Sequence, residues 1–287
     1  MLFNFGFTLS GVPQKAITRD KLVEFISDEG TKRINFASSH SHALYRSSKG
    51  KHVGIIKLPF KDTIEAILKN KFGATLFKSQ FDDKYYWNID SEKDYASFEE
   101  FVQEYNEIVF LRDNLDISFA LSMNYNGDER TPIGELEYQA KFNDNEEAEE
   151  ELNEVCNQWI DKLPFLKEAD YICAMPSSNP GEGSLPHRII ANLEGFDFED
   201  ISDSITWTSK TRSIKDARSP EEKLEILEES GLQISEELDI KRKTVLLFDD
   251  LYMSGISMQY VAMKLKEAGA SRVFGLCTVK SRSNTAR

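Results

Sequence analysis

The chain has 287 residues, 40% apolar and 29% charged, with a formal net charge of −14, which is enough material for a real core and more than the ~100–200 residues of one ordinary domain, so two domains are expected. No run approaches the ~18 consecutive apolar residues of a bilayer span, and the start MLFNFGFTLSG lacks the basic and continuous apolar regions of a secretory signal, so a cytoplasmic protein with no membrane partner is expected. The acidity opposes attraction to phosphate backbones, which rests on Lys and Arg displacing counterions, and argues against nucleic acid as a partner.

Residues 1 to about 115 alternate short strand-like and helical pieces. TRDKLVEFISDEG starts at Thr18 as an N-cap, aligns Leu22, Phe25 and Ile26, and reads as a helix stopping at Gly30. SSHSHALYRSSKG places His40 and His42 two apart, which on a strand would face them the same way, with no acid or Cys at ligand spacing to complete a metal site. HVGIIKLPF reads as a strand, DTIEAILKNKF as a helix with Ile64, Ile67 and Leu68 on one face, and ASFEEFVQEYNEIVF as a second helix through Phe98, Phe101, Val102 and Tyr105. The expectation is a separate N-terminal α+β domain over 1–115, of unknown role and open to a protein partner.

Beyond it, DISFALSMNYNG is a strand candidate. NEEAEEELNEVCNQWIDKL is a helix, with Leu152, Val155, Cys156, Trp159 and Leu163 at helical spacing and Glu147, Glu150, Glu151 and Glu154 on its solvated face. From residue 170 strand-length apolar runs, ADYICAMP, TVLLFDD and RVFGLCTVK, alternate with helical segments near 186–194, 220–230 and 257–268. That alternation predicts an α/β fold with a parallel sheet flanked by helices over 116–287. Cys156, Cys173 and Cys277 are odd in number, far apart and in apolar surroundings, which fits small buried hydrophobes in a reducing compartment.

In open parallel sheets ligands bind beyond the carboxyl ends of the strands. After TVLLF come Asp249, Asp250, Leu251, Tyr252, Met253, Ser254, Gly255, Ile256 and Ser257, then a helix. Gly255 permits close backbone approach, the serines supply hydroxyls, and a helix N-terminus favours an anion, so the turn suits a phosphate. The two acids would then face a sugar, whose hydroxyls donate to carboxylates, or a magnesium ion. The same pattern also fits an ordinary strand–turn–helix with a surface acid pair. Ser177 and Ser178 open a small-residue loop after ADYICAMP, and TSKTRSIKDARSP gathers Lys210, Arg212, Lys215 and Arg218; either loop could meet an anion or simply be solvated. His187 stands at a helix start, a place that is more often structural than catalytic.

These segments resemble the type I phosphoribosyltransferases, whose signature is a hydrophobic strand, two acids and a Thr/Ser-Gly-x-Thr/Ser turn, as in VLLFDDLYMSGIS. Over roughly 120–280 the chain is similar to their ComF-like, competence-associated branch, through RTPIGELEYQAKF with its terminal Lys-aromatic pair, ADYICAMPSS, and the Tyr within DDLYMSGIS. The resemblance implies phosphoribosyl pyrophosphate or a nucleotide as ligand, magnesium as cofactor, and phosphoribosyl transfer to a nitrogen base in nucleotide metabolism. It implies that Asp249 and Asp250 meet the ribose hydroxyls and, directly or through water, the magnesium. Met253, Ser254, Gly255, Ile256 and Ser257 would cradle the 5′-phosphate, Ser177 and Ser178 would lie in the pyrophosphate loop, and Lys210, Arg212 and Lys215 in a flexible catalytic loop at the leaving group. Two departures stand out: Met253 replaces a hydroxyl residue, and no Cys-rich zinc segment opens the chain. A non-catalytic sensor of the same ligand, or an interaction component of a DNA-uptake or defence pathway, is the alternative function.

Overall fold

Thr18 accepts a hydrogen bond from the Lys21 amide at 3.3 Å and starts helix α1 (Arg19–Ser27) where a cap is expected. The computed structural model describes residues 12–48, 50–163, 165–177, 183–209, 212, 214 and 217–282. The chain divides into two compact units: Glu29–Arg112 is one, and the other takes both flanks, up to Asp28 and from Asp113 onward.

The Glu29–Arg112 unit is α+β. Strand β1 (Arg33–Asn35) pairs antiparallel with β6 (Val109–Leu111), and β2 (Leu44–Arg46), β3 (Gly54–Leu58), β4 (Phe77–Lys78) and β5 (Tyr85–Ile89) form an antiparallel sheet in the order β2-β3-β5-β4. Helices α2 (Ile64–Phe72) and α3 (Glu92–Glu104) supply an aromatic core in which Phe98 lies 4.2 Å from Phe72 and 4.8 Å from Trp87, ring to ring. Each fully buried Phe of this kind contributes about 1.5–3 kcal/mol. Two expectations need correction here. Helix α3 ends at Glu104, capped by Tyr105, and the apolar run after it forms β6, because a run of that length has no periodicity to distinguish strand from helix. His40 and His42 sit in turns, not on a strand, so no shared strand face aligns them; among the described residues no group of three or more His, Cys, Asp or Glu is placed to hold a metal.

The other unit begins with α1 and resumes with β7 (Ile117–Met123), the hairpin β8 (Tyr125–Asn126) and β9 (Glu129–Arg130), and helices α4 (Pro132–Phe142) and α5 (Glu146–Lys162). Then follow β10 (Tyr171–Ala174), α6 (Leu185–Ala191), β11 (Glu199–Asp200), β12 (Ile205–Trp207), α7 (Pro220–Ser230), β13 (Leu232–Ile234), β14 (Thr244–Tyr252), α8 (Ile256–Glu267) and β15 (Arg272–Lys280). Within this unit β7-β15-β14-β10-β11 form a wholly parallel sheet, in register at Leu246↔Phe274, Leu276↔Phe119 and Cys173↔Leu247, flanked by helices. Val245 to Phe248 of β14 are fully buried, as expected for a central strand covered on both faces. Cys156, Cys173 and Cys277 are free and buried, and that burial pushes their thiols up. No described helix is long and apolar enough to cross a membrane.

This division differs from the expected 1–115 and 116–287. The segment holding α1 joins the parallel-sheet unit, where Arg19 forms two hydrogen bonds with Glu228 of α7 at 2.6 and 3.2 Å, Asn114 donates to the Lys21 carbonyl at 3.1 Å, and the Lys15 amide donates to the buried Asp116 carboxylate at 2.5 Å. Leu22 on α1 is fully buried. Leu22→Ala should therefore destabilise by about 2–5 kcal/mol, and hydrogen exchange should show amides of β14 and β15 losing protection while those of β3 and β5 keep theirs; the reverse pattern would place α1 with the inserted unit.

Candidate functional site

The carboxyl edge of the parallel sheet is tied together by its backbone. The Met175 amide donates to the Phe248 carbonyl at 2.8 Å, the Asn124 amide to the Lys280 carbonyl at 2.8 Å, and the Ser281 amide to the Tyr252 carbonyl at 3.0 Å. The ends of β10, β14, β15 and β7 thus form one ledge. Asp249 and Asp250 lie near its middle on β14, and Ser177 follows β10 on the same ledge.

Asp250 is buried, and the ammonium that compensates it comes from α4: Lys141 Nζ lies 2.6 Å from Asp250 Oδ2 and 3.7 Å from Glu137 Oε1, one turn back on the same helix. Asp249 is held above the usual carboxylate range, first by burial and then by the charge of Asp250, against the opposing pull of Lys141 and of Lys223 on α7. Asp249 Oδ1 also accepts from the Asp250 amide at 3.0 Å. Glu137 is 3% exposed, and burial pushes its carboxyl up to about 7 despite Lys141. Lys141 itself is held above its ordinary value: burial opposes its charge, and the Asp250 carboxylate outweighs that opposition. Three carboxylates therefore share this corner with one closely bound ammonium.

Helix α4 is fixed over the ledge at its N-terminus. Thr131 Oγ1 donates to the Met123 carbonyl at 2.6 Å and accepts from the Gly134 amide at 3.0 Å. A Cβ at Gly134 would come 2.3 Å from the Asn124 carbonyl oxygen, so only glycine lets α4 sit this close to the end of β7.

After β14 the chain turns into α8 through Met253, Ser254 and Gly255, with Gly255 left-handed at φ +76° as the N-cap residue. A Cβ there would stand 2.1 Å from the Tyr252 hydroxyl, which donates to the buried Asp113 carboxylate at 2.9 Å. Ser254 is buried, and its Oγ accepts from the Ile256 amide at a long 3.5 Å. Ser257 lies half-buried in the first turn of α8. The five residues expected to form a phosphate turn are thus contiguous at a helix N-terminus beside the acid pair.

The basic segment is placed only in part. Arg212 pairs with Glu222 in the first turn of α7 at 2.5 Å, and the Arg218 amide donates to the same carboxylate at 2.7 Å. Lys210, Lys215 and Ser178 lie outside the described residues. His187 Nδ1 is 2.7 Å from the Ser184 hydroxyl at the start of α6, a local contact between two side chains.

Sequence reasoning assigned no role to Glu137 or Lys141, although the Lys-aromatic pair was part of the resemblance. Their signal was a Glu followed four residues later by Lys, a spacing that usually marks a solvated helix face. Lys223 was missed because a lysine in the charged run Glu221-Glu222-Lys223 reads as part of a solvated helix face. Also unforeseen is a cavity of about 420 Å³ on the ledge, lined by Asn124, Tyr125, Leu251, Met253, Ser281 and Arg282.

No family model and no curated protein matches the chain. Solved structures that match include a hypoxanthine phosphoribosyltransferase from Staphylococcus aureus, at 14% identity and a TM-score of 0.30, over 47% of this chain and 67% of that one. A likeness that faint leaves the class of fold to be stated from the chain's own geometry: mixed α/β, with a mainly parallel central sheet flanked by helices.

The Glu137 carboxyl gives the site a pH signature. Because its folded value, about 7, stands above the ordinary 4.5, ionising it costs stability: the cost is absent below pH 4.5, grows through the interval, and is complete above 7. Glu137→Gln should therefore raise stability at pH 8 by on the order of 3 kcal/mol and leave it unchanged at pH 4, measured by urea unfolding at both pH values. A variant equally or less stable at pH 8 would show that the Lys141 contact outweighs the burial cost.

Proposed function

We propose that the chain binds phosphoribosyl pyrophosphate with magnesium at the carboxyl end of β14 and transfers the phosphoribosyl group to a nitrogen base. One observation carries the reading: Asp249 and Asp250, at the end of a central parallel strand, lead without interruption into a left-handed glycine turn and the N-terminus of α8. Ligands bind at such edges, and helix N-termini accept phosphate. In this reading Met253 to Ser257 receive the 5′-phosphate, Asp249 and Asp250 the ribose hydroxyls, Ser177 and Ser178 the pyrophosphate, and Lys210, Arg212 and Lys215 the leaving group. The cavity lined by Asn124, Tyr125, Ser281 and Arg282 adjoins Met253 and is the seat for the acceptor.

Magnesium fits the donor set. Two carboxylates are too few to cage the ion, but magnesium is ordinarily held by one or two carboxylates, with water and substrate oxygens completing its shell. Bound there, it would neutralise charge on the pyrophosphate. The acceptor nitrogen forms a bond to the anomeric carbon as that carbon's bond to pyrophosphate oxygen breaks, and the chain's part is to position the partners and to stabilise the departing charge.

Calorimetry with phosphoribosyl pyrophosphate and magnesium tests the reading. Asp249→Asn with Asp250→Asn should weaken binding by about 1–3 kcal/mol, the range of charge-assisted hydrogen bonds. The fold should survive, because Lys141 is 31% exposed at its side chain and can turn to water. Base-dependent release of pyrophosphate supports transfer. Saturable binding with no release across a panel of bases would replace the transferase by a sensor, and no binding at all would remove both.

A further inference from the structure

Lys141 does more than fill space on α4. Its ammonium sits 2.6 Å from Asp250 Oδ2, and its side chain is 31% exposed against 12% for the Asp250 side chain, so the cation and not water covers that carboxylate. It occupies the position that a bound metal would need: a divalent ion drawn to Asp250 would meet the ammonium at contact distance, where like charges repel strongly. The lysine also has somewhere to go. Its Nζ already lies 5.6 Å from the centre of the Phe142 ring, and Phe142 is 63% exposed, so rotation of the four-carbon stem moves the ammonium onto an aromatic face or into solvent without unfolding the helix. A carboxyl oxygen of Glu137, 3.7 Å away, remains as a second contact for it.

We propose that Lys141 is a built-in counter-ion of the Asp249–Asp250 pair that a divalent cation must displace, so that metal arrival and departure of the Lys141 ammonium from Asp250 are one coupled event. This rests on the reading above only in placing a metal at the acid pair. A competitor that belongs to the protein lowers the apparent affinity by the fraction of molecules in which it holds the site. The protein would then bind a bare metal ion poorly, and would bind it well once a ligand's anionic oxygens offer the ammonium another partner.

The test omits phosphoribosyl pyrophosphate, so its outcome is independent of whether that ligand binds. Binding of Mn²⁺ is measured by electron paramagnetic resonance for the wild type, Lys141→Gln, Lys141→Arg, and Lys141→Gln with Asp250→Asn. Lys141→Gln should bind Mn²⁺ at least about tenfold more tightly than wild type, Lys141→Arg should resemble wild type, and the double variant should lose the gain. An unchanged affinity in Lys141→Gln, or a gain that persists without Asp250, overturns the proposal. Should Lys141→Gln fail to fold, the wild type suffices: the lysine Nζ resonance absent from Lys141→Arg should lose its slow exchange when magnesium is added to tens of millimolar. A resonance that stays protected throughout overturns the proposal equally.

Discussion

Two adjacent carboxylates at the end of a buried strand set the constraint that organises this edge of the molecule. The strand cannot leave them in an apolar layer unpaired, because an uncompensated buried charge costs several kcal/mol. The compensation comes from Lys141, and a lysine can serve only if its helix is brought close and held there. Thr131 and Gly134 meet that demand, anchoring α4 to the end of β7 through a cap and a glycine contact that a Cβ would forbid. Glu137 then stands one turn back, too buried to ionise easily, and shares the ammonium. The acid pair, the helix above it and the close contact at Gly134 are consequences of one electrostatic requirement.

The turn into α8 answers a separate steric requirement. Tyr252 folds beneath Gly255 to reach Asp113, and the space its ring takes up is the space a side chain at 255 would need. Replacing Gly255 therefore disturbs the Tyr252–Asp113 contact before any anion is considered. Loss of phosphate affinity in such a variant would not by itself identify a phosphate site, whereas the acid pair can be neutralised with little change of shape.

How much of this was legible in the sequence follows from the range of the interactions. β14, its turn and α8 were readable because an apolar run, a glycine and a helical repeat are local signals, and Thr18 was readable as a cap for the same reason. The pairing of Lys141 with Asp250 was not, because nothing within either segment specifies its distant partner. The fate of 12–28 was hidden likewise: α1 has an ordinary amphipathic pattern, which says that one face is buried and not against what. At 108–111 the difficulty was different in kind, since Ile108, Val109, Phe110 and Leu111 are all buried and a uniformly apolar run has no period to read.

The placement of α1 also bears on how the chain is made. Arg19 and its partner Glu228 are separated by 209 positions, with the whole Glu29–Arg112 unit between. At ordinary translation speeds of about 5–20 residues per second, the partner emerges from the ribosome roughly 10–40 seconds after α1 does. Through that interval the apolar face carrying Leu22 and Phe25 lacks α7 and α8, the helices it packs against, while Glu29–Arg112 already has its own aromatic core complete. The inserted unit can therefore mature first, and α1 must wait, exposed to chaperones or to wrong partners, until α7 and α8 arrive.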